Sequence, residues 1–126
     1  MVTTITRAES PRFDTPGGNT TTPLTSSRVG AKELLVLHQT QLPGGTNPLH
    51  AKNREALVVV LAGAVDVVTE TETLAIAEGD AALIPPSTLH RLSTTGDAPA
   101  QWLVITPAEV EYTTPNGEPI QPIWAR

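Results

Sequence analysis

The feature that most limits the fold is a series of short apolar segments, each ended by glycine, proline or a polar turn. Between residues 33 and 108 they are ELLVLHQTQL, ALVVVLAG, AVDVVTE, ETLAIAEG, DAALIPPS, LHRLSTTG and AQWLVITPA. Segments of this length rich in Val, Ile and Leu predict strands, and turn signals about every 8 to 12 residues are typical of an antiparallel sandwich or barrel. No stretch has a convincing amphipathic-helix period. We therefore predict an all-β domain.

The length of 126 residues suits one domain with its own core. Residues 1–29 are rich in Thr, Ser, Pro and Gly and predict an extended N-terminal arm. The barrel is expected over residues 30–108, and residues 109–126 are expected to form a C-terminal arm. The apolar residues of this second arm should pack along the barrel or against a partner subunit; they are Ile120, Ile123 and Trp124.

Charge and cysteine content remove several classes of function. The net charge of −5 provides no electrostatic footprint for nucleic acid or for an anionic membrane. The absence of cysteine excludes disulfides, thiolate catalysis and cysteine-ligated metal sites. The first residues contain no apolar stretch of the signal-peptide type, so we expect a cytoplasmic protein. Apolar strand faces favour a homodimer.

A histidine lies at a fixed spacing between two glycines in the first half of the predicted barrel. Gly44 lies six residues before His50, and Gly63 lies thirteen residues after it. This pattern resembles the first motif of the cupin family, in which a glycine precedes a His-x-His pair, a glutamate and a second glycine. Lys52 stands where the family has its second histidine, and Ala56 stands where it has glutamate.

A second group of residues agrees with the family in order and separation. Gly79 is followed by Pro85 and then by His90, as in the second cupin motif, with Thr94 at the position of the family's asparagine. The resemblance covers about residues 33 to 106. It implies a small single-domain cupin with a degenerate metal-binding motif, folded as a jelly-roll barrel, also called a double-stranded β-helix, with an arm at each end.

One interpretation of the motif residues is proton-transfer catalysis with no metal cofactor. Alternation along a strand places His50 and Lys52 on the same face, and His90 is expected to face the same interior. An imidazole exchanges protons near neutral pH, and a partly buried amine stabilises an enolate or acts as an acid. The predicted activity is that of a dehydratase, isomerase or cyclase acting on a small polar metabolite, in secondary metabolism.

A second interpretation keeps a metal. The resemblance implies that cupins with three histidines and one glutamate hold a divalent ion such as iron, manganese, nickel or zinc. Here His50 and His90 retain ligand positions, and a third ligand could come from Glu55 through a β-bulge or from His38 if its strand face is interior. Such a protein would resemble a dioxygenase. A charged Lys52 opposes this interpretation because it repels the cation.

A third interpretation is a barrel that binds a small ligand without catalysis. Any single buried histidine is most often a hydrogen-bonded core residue, and this applies most strongly to His38. Trp102 could form a cavity wall or part of the core. Tyr112 and Trp124 are predicted to make packing or dimer contacts rather than substrate contacts.

Overall fold

The computed structural model describes residues 1–122 and 124 as an all-β fold, and Ile123 lies outside the described residues. Two short 3₁₀ helices cover Arg7–Glu9 and Ser27–Val29. Among the described helices, none is long and apolar enough to cross a membrane. The strands are β1 (Phe13–Thr15), β2 (Asn19–Thr25), β3 (Leu34–Gln41), β4 (Ala51–Lys52), β5 (Ala56–Ala62), β6 (Ala64–Thr69), β7 (Thr73–Ala77), β8 (Ala81–Ile84), β9 (His90–Thr94), β10 (Ala100–Pro107), β11 (Tyr112–Thr113) and β12 (Pro119–Ile120).

Every strand predicted between residues 33 and 108 is present, and β6 and β7 form an antiparallel hairpin. The largest sheet has the order β1-β2-β3-β10-β5-β8, and two three-stranded sheets have the orders β12-β11-β4 and β7-β6-β9. Antiparallel bridges between Thr46 and Ser93 and between His50 and His90 join the segment before β4 to β9. The result is the two-layered antiparallel arrangement expected of a jelly roll, and the all-β prediction is confirmed.

The core lies between the layers and is made mainly of alternate residues of long strands. In β10 the burial alternates along the whole strand, as period-two geometry requires. Trp102 is fully buried in this core, where its Nε1 donates a 2.8 Å hydrogen bond to Gln39 Oε1. It is therefore a core residue, and the cavity described below is lined without it.

Residues 1–29 contribute two strands to the largest sheet, which is more than the extended arm that was predicted. Strand β2 pairs with β3 over most of its length, and Thr21 and Thr22 are buried. Threonine is β-branched and suits a pleated, half-buried surface, so a Thr-rich segment forms an ordered strand here. The Asn19 side chain also donates to the carbonyls of Pro16 and Thr46, which fastens this strand to the next turn.

The C-terminal segment returns to the barrel. Strand β11 pairs with both β12 and β4, so that Tyr112 lies opposite Lys52. Tyr112 is buried, and Trp124 packs against the core cluster. This pairing brings the C-terminal residues to the same end of the barrel as His50.

Tight turns at glycine separate the strands as the motif spacing requires. Gly63 and Gly79 have φ angles of 80° and 88°, which favour glycine. A Cβ on Gly63 would lie 2.9 Å from the Pro99 carbonyl oxygen. Ser87 follows the Pro85-Pro86 pair and adopts a φ of 62°, a left-handed conformation that is uncommon for a residue with a Cβ.

Candidate functional site

A cavity of about 150 Å³ lies between the sheet layers, at the end closed by the C-terminal segment. Its barrel walls are mainly apolar and come from both layers, through Leu37, Val58, Leu92 and Val104. The remaining lining residues belong to the N-terminal strands, the loop before β4 and the C-terminal segment; they include Thr15, Asn19, Thr21, Gln39, Asn47, Pro48, Ile120 and Pro122. The three predicted site residues His50, Lys52 and His90 also line it.

The two motif histidines lie side by side because their backbones pair. His50 N donates to His90 O at 3.0 Å, and His90 N donates to His50 O at 2.9 Å. The imidazole centroids are 4.5 Å apart, with the ring planes inclined at 49°. The register of one antiparallel bridge thus places two residues that are distant in sequence on the same cavity wall.

Backbone carbonyls fix which ring nitrogen of each histidine carries the hydrogen. His50 Nδ1 lies 2.8 Å from the Pro48 carbonyl oxygen, and His90 Nδ1 lies 2.9 Å from the Thr88 carbonyl oxygen. A carbonyl accepts and never donates, so each Nδ1 carries the hydrogen. In the neutral rings each Nε2 is therefore a lone-pair acceptor.

Lys52 supplies the positive charge of the site. Its side chain is 6% exposed, and its Nζ donates a 3.2 Å hydrogen bond to His50 Nε2. The amine also lies 5.3 Å from the centre of the Tyr112 ring, within range of a cation–π contact. Among the described residues that line the cavity, none is an aspartate or glutamate. The amine is thus buried beside neutral partners.

Burial and the lysine charge shift the pKa values of all three groups. Burial lowers the pKa of Lys52 to about 8. Burial, the Lys52 charge and the neighbouring His90 lower the pKa of His50 to about 3, against the effect of its bond to Pro48. Burial and the Lys52 charge lower the pKa of His90 to about 4. At neutral pH the site therefore holds two neutral imidazoles and a mostly charged amine.

Tyr112 and Trp124 also line the cavity, which the sequence did not indicate. Burial raises the pKa of Tyr112 to about 12, and the nearby Trp124 side chain opposes the rise. Tyr112 Oη and Trp124 Nε1 are both buried without a hydrogen-bond partner among the described residues. Their placement depends on the long-range pairing of β11 with β4, which no local pattern reveals.

The two further ligands proposed from the sequence do not reach this cavity. His38 lies on the opposite face of β3 from Leu37 and Gln39, and its Nε2 lies 3.3 Å from Gln101 Oε1. Burial, the nearby Arg7 charge and this contact act on its pKa, which is lowered overall. Glu55 is exposed just before β5. Strand alternation along β3 explains the position of His38, and Glu55 precedes the first residue of β5.

The donors present do not fit a divalent cation. Within the described residues, no group of three or more His, Asp or Glu side chains could hold a metal ion. Catalytic metals usually have three protein ligands, whereas this site offers two imidazole nitrogens. The Lys52 ammonium, 3.2 Å from one of them, would repel a cation. Ala56 occupies the position of the family's glutamate, on the β5 face that carries Val58.

Comparison with known proteins agrees with the motif spacing. The model of a family described as "Cupin domain" matches residues 37–106, more than half of the chain. The chain belongs to the cupin family. The match includes Lys52 and both motif histidines, so the lysine lies within the part of the chain that the family model covers. No curated protein matches the sequence.

Solved structures share the fold of this cupin at low sequence identity. The polyketide cyclase RemF from Streptomyces resistomycificus is 24% identical, with a TM-score of 0.76 over 87% of this chain and 82% of that chain. KdgF from Halomonas sp. is 17% identical, with a TM-score of 0.73 over 85% of this chain and 95% of that chain. An S161A mutant of Bacillus subtilis oxalate decarboxylase is 19% identical, with a TM-score of 0.77 over 87% of this chain and 31% of that chain. At these sequence identities the comparisons show a shared fold and nothing more specific.

Proposed function

We propose that this cupin is a small-molecule enzyme that transfers protons with His50, Lys52 and His90. The reaction class is that of a dehydratase, isomerase or cyclase, within secondary metabolism. The observation that carries the proposal is the juxtaposition of a buried ammonium with two imidazoles whose Nε2 atoms are acceptors. A metal-independent acid–base mechanism needs a group of each kind within reach of one substrate.

The three side chains take different roles. Lys52 stabilises negative charge on a substrate oxygen, since its ammonium is buried and fixed by His50. His90 Nε2 is the base, because it is the imidazole acceptor that Lys52 does not occupy. His50 positions the amine. Burial and, as the smaller effect, the Lys52 charge lower the pKa of His90. A bound substrate anion offsets the second of these effects, and in this proposal it thereby strengthens the base.

The overall step moves one proton and needs no oxidant. His90 Nε2 takes a proton from a carbon next to a carbonyl, and the electron pair moves onto the carbonyl oxygen, which Lys52 stabilises. Return of the proton from His90 to another atom gives isomerisation. Its transfer to a departing hydroxyl on the neighbouring carbon releases water and gives dehydration. Attack of the enolate carbon on a second carbonyl, with the proton passed to the new alkoxide, gives cyclisation. The structural likeness to a protein named as a polyketide cyclase supports this class.

The test follows hydrogen exchange at carbon. We expect the protein to catalyse exchange of hydrogens next to the carbonyl in one or more of a panel of small ketones and keto acids in D₂O, measured by ¹H NMR. His90→Asn and Lys52→Met should each lower the rate by about 100-fold. His38→Asn is the matched control, since this histidine lies outside the cavity. Exchange that survives both cavity variants at the control rate would refute the proposal.

The same experiment distinguishes the proposed enzyme from the alternative, a barrel that binds a ligand without catalysis. A protein that binds a probe without accelerating its exchange, in the wild type as in the His90→Asn variant, is a binding protein. The lowered pKa makes His90 a weak base in the empty cavity, which favours this alternative. The rise of that pKa on anion binding is therefore a necessary part of the catalytic proposal.

A further inference from the structure

The cavity contains a buried positive charge with no counter-charge. Lys52 is more than nine-tenths buried, and its hydrogen-bond partner His50 is a neutral ring at neutral pH. The described residues that line the cavity include no carboxylate. A buried charge without a partner is costly, and a ligand that supplies the opposite charge reduces that cost.

A second polar point lies close to the first. Tyr112 Oη and Trp124 Nε1 are buried in the cavity wall without a hydrogen-bond partner in the described part of the chain. An indole N–H can only donate, and a phenol can donate, so together they suit an oxygen acceptor on a ligand. The Tyr112 ring centre is 5.3 Å from Lys52 Nζ, so the phenol and the amine belong to the same part of the cavity wall.

The remaining walls set the body of that molecule. Leu37, Val58, Leu92 and Val104 present apolar side chains to a cavity of about 150 Å³. A cavity of roughly this volume lined by such residues accommodates a benzene ring. A sugar would leave its hydroxyls unpaired against these walls, whereas a single ring or a short branched chain would not.

We propose that the ligand of this cavity is a small organic anion: an oxo- or hydroxy-substituted carboxylate with an apolar body about the size of one ring. Its charged oxygen pairs with Lys52, and its second oxygen accepts hydrogen bonds from Tyr112 and Trp124. The C-terminal segment is thereby part of the binding site. The inference deepens the proposed function, with which it shares Lys52, but binding is measured without turnover.

Calorimetry on the full chain at pH 7 tests it with three probes. Phenylglyoxylate has a carboxylate and a second oxygen, benzoate has the carboxylate alone, and benzamide is the uncharged counterpart of benzoate. We expect benzoate to bind about tenfold more tightly than benzamide, and phenylglyoxylate to bind several-fold more tightly than benzoate.

Variants assign the two preferences to the two points. Lys52→Met should remove the preference for benzoate over benzamide, whereas Lys32→Met, at an exposed lysine, should preserve it. Tyr112→Phe and Trp124→Phe should each reduce the preference for phenylglyoxylate over benzoate and leave the preference for benzoate over benzamide intact. Circular dichroism verifies that each variant is folded.

Several results would overturn the inference. They are equal affinities for benzoate and benzamide, an anion preference that persists in Lys52→Met, or no binding of benzoate at millimolar concentration. A loss of all affinity in both aromatic variants despite a native fold would show that these residues shape the cavity rather than recognise an oxygen. If the probes bind as expected but no carbon acid exchanges, the proposed function fails alone. If exchange occurs without an anion preference, this inference fails alone.

Discussion

Replacement of Lys52 by methionine should stabilise the fold while it removes function. Burial lowers the pKa of this amine from 10.5 to about 8, so its charged form is disfavoured in the folded state by about 3 kcal/mol. Methionine has a similar length and no charge to desolvate. The variant lacks the hydrogen bond to His50 Nε2, which lowers the free energy of unfolding by about 1 kcal/mol. The free energy of unfolding at pH 7 should therefore rise by about 2 kcal/mol.

The pH dependence of this gain distinguishes charge burial from better packing. Between pH 8 and 10.5 the unfolded chain binds more protons at Lys52 than the folded chain, so the wild type gains stability as the pH rises through that window. The variant lacks this gain. Urea unfolding at pH 7 and pH 9.5, with Lys32→Met as a control, should show the advantage of Lys52→Met falling from about 2 kcal/mol to nearly zero. A destabilised variant at pH 7, or an advantage independent of pH, would refute the reasoning.

Other predictions concern residues around the site. The pKa values of His50 and His90, about 3 and about 4, lie below their usual 6.5, so below pH 6.5 the unfolded chain binds more protons than the folded chain. The free energy of unfolding should therefore fall by about 4 kcal/mol between pH 6 and pH 4.5, and by about half as much in His90→Asn. Urea titrations at both pH values measure this loss. Ser87→Gly should raise the free energy of unfolding by about 1 kcal/mol through relief of the left-handed backbone, and an unchanged melting curve would contradict this. Gln41→Leu should cost about 3 kcal/mol, because the fully buried amide bonds Asn19, Thr94 and the Leu92 carbonyl; a cost below 1 kcal/mol would show that these groups find other partners. A sizing column should show a homodimer, against 13.3 kDa for a single chain.

The barrel strands could be predicted because each carries its own pattern. Apolar β-branched runs ended by Gly63, Gly79 and Pro85 identify strands locally, and these strands have nearly the predicted bounds. The N-terminal strands could not be recognised in this way. Their threonines are polar in composition but are paired and buried in β2, and pairing with β3 is a long-range property.

The site could be predicted in part for a related reason. Motif spacing and strand alternation place His50, Lys52 and His90 together, and the structure brings them to one cavity. For His38 alternation alone was insufficient, because both faces of β3 are buried: Leu37 and His38 are each under 10% exposed. The sequence does not say which buried face borders the cavity. Tyr112 was missed since its role depends on pairing with β4.

Both proposals depend on a buried, charged amine beside two neutral imidazoles in the cavity. The chain has two lysines, Lys32 and Lys52, so ¹³C-lysine labelling gives two side-chain signals that Lys52→Met assigns at once. We expect the Lys52 ¹³Cε resonance to titrate with a pKa of about 8. A resonance that titrates at the ordinary value of 10.5 would mean a solvated amine, and the catalytic and anion-binding proposals would both lose their basis.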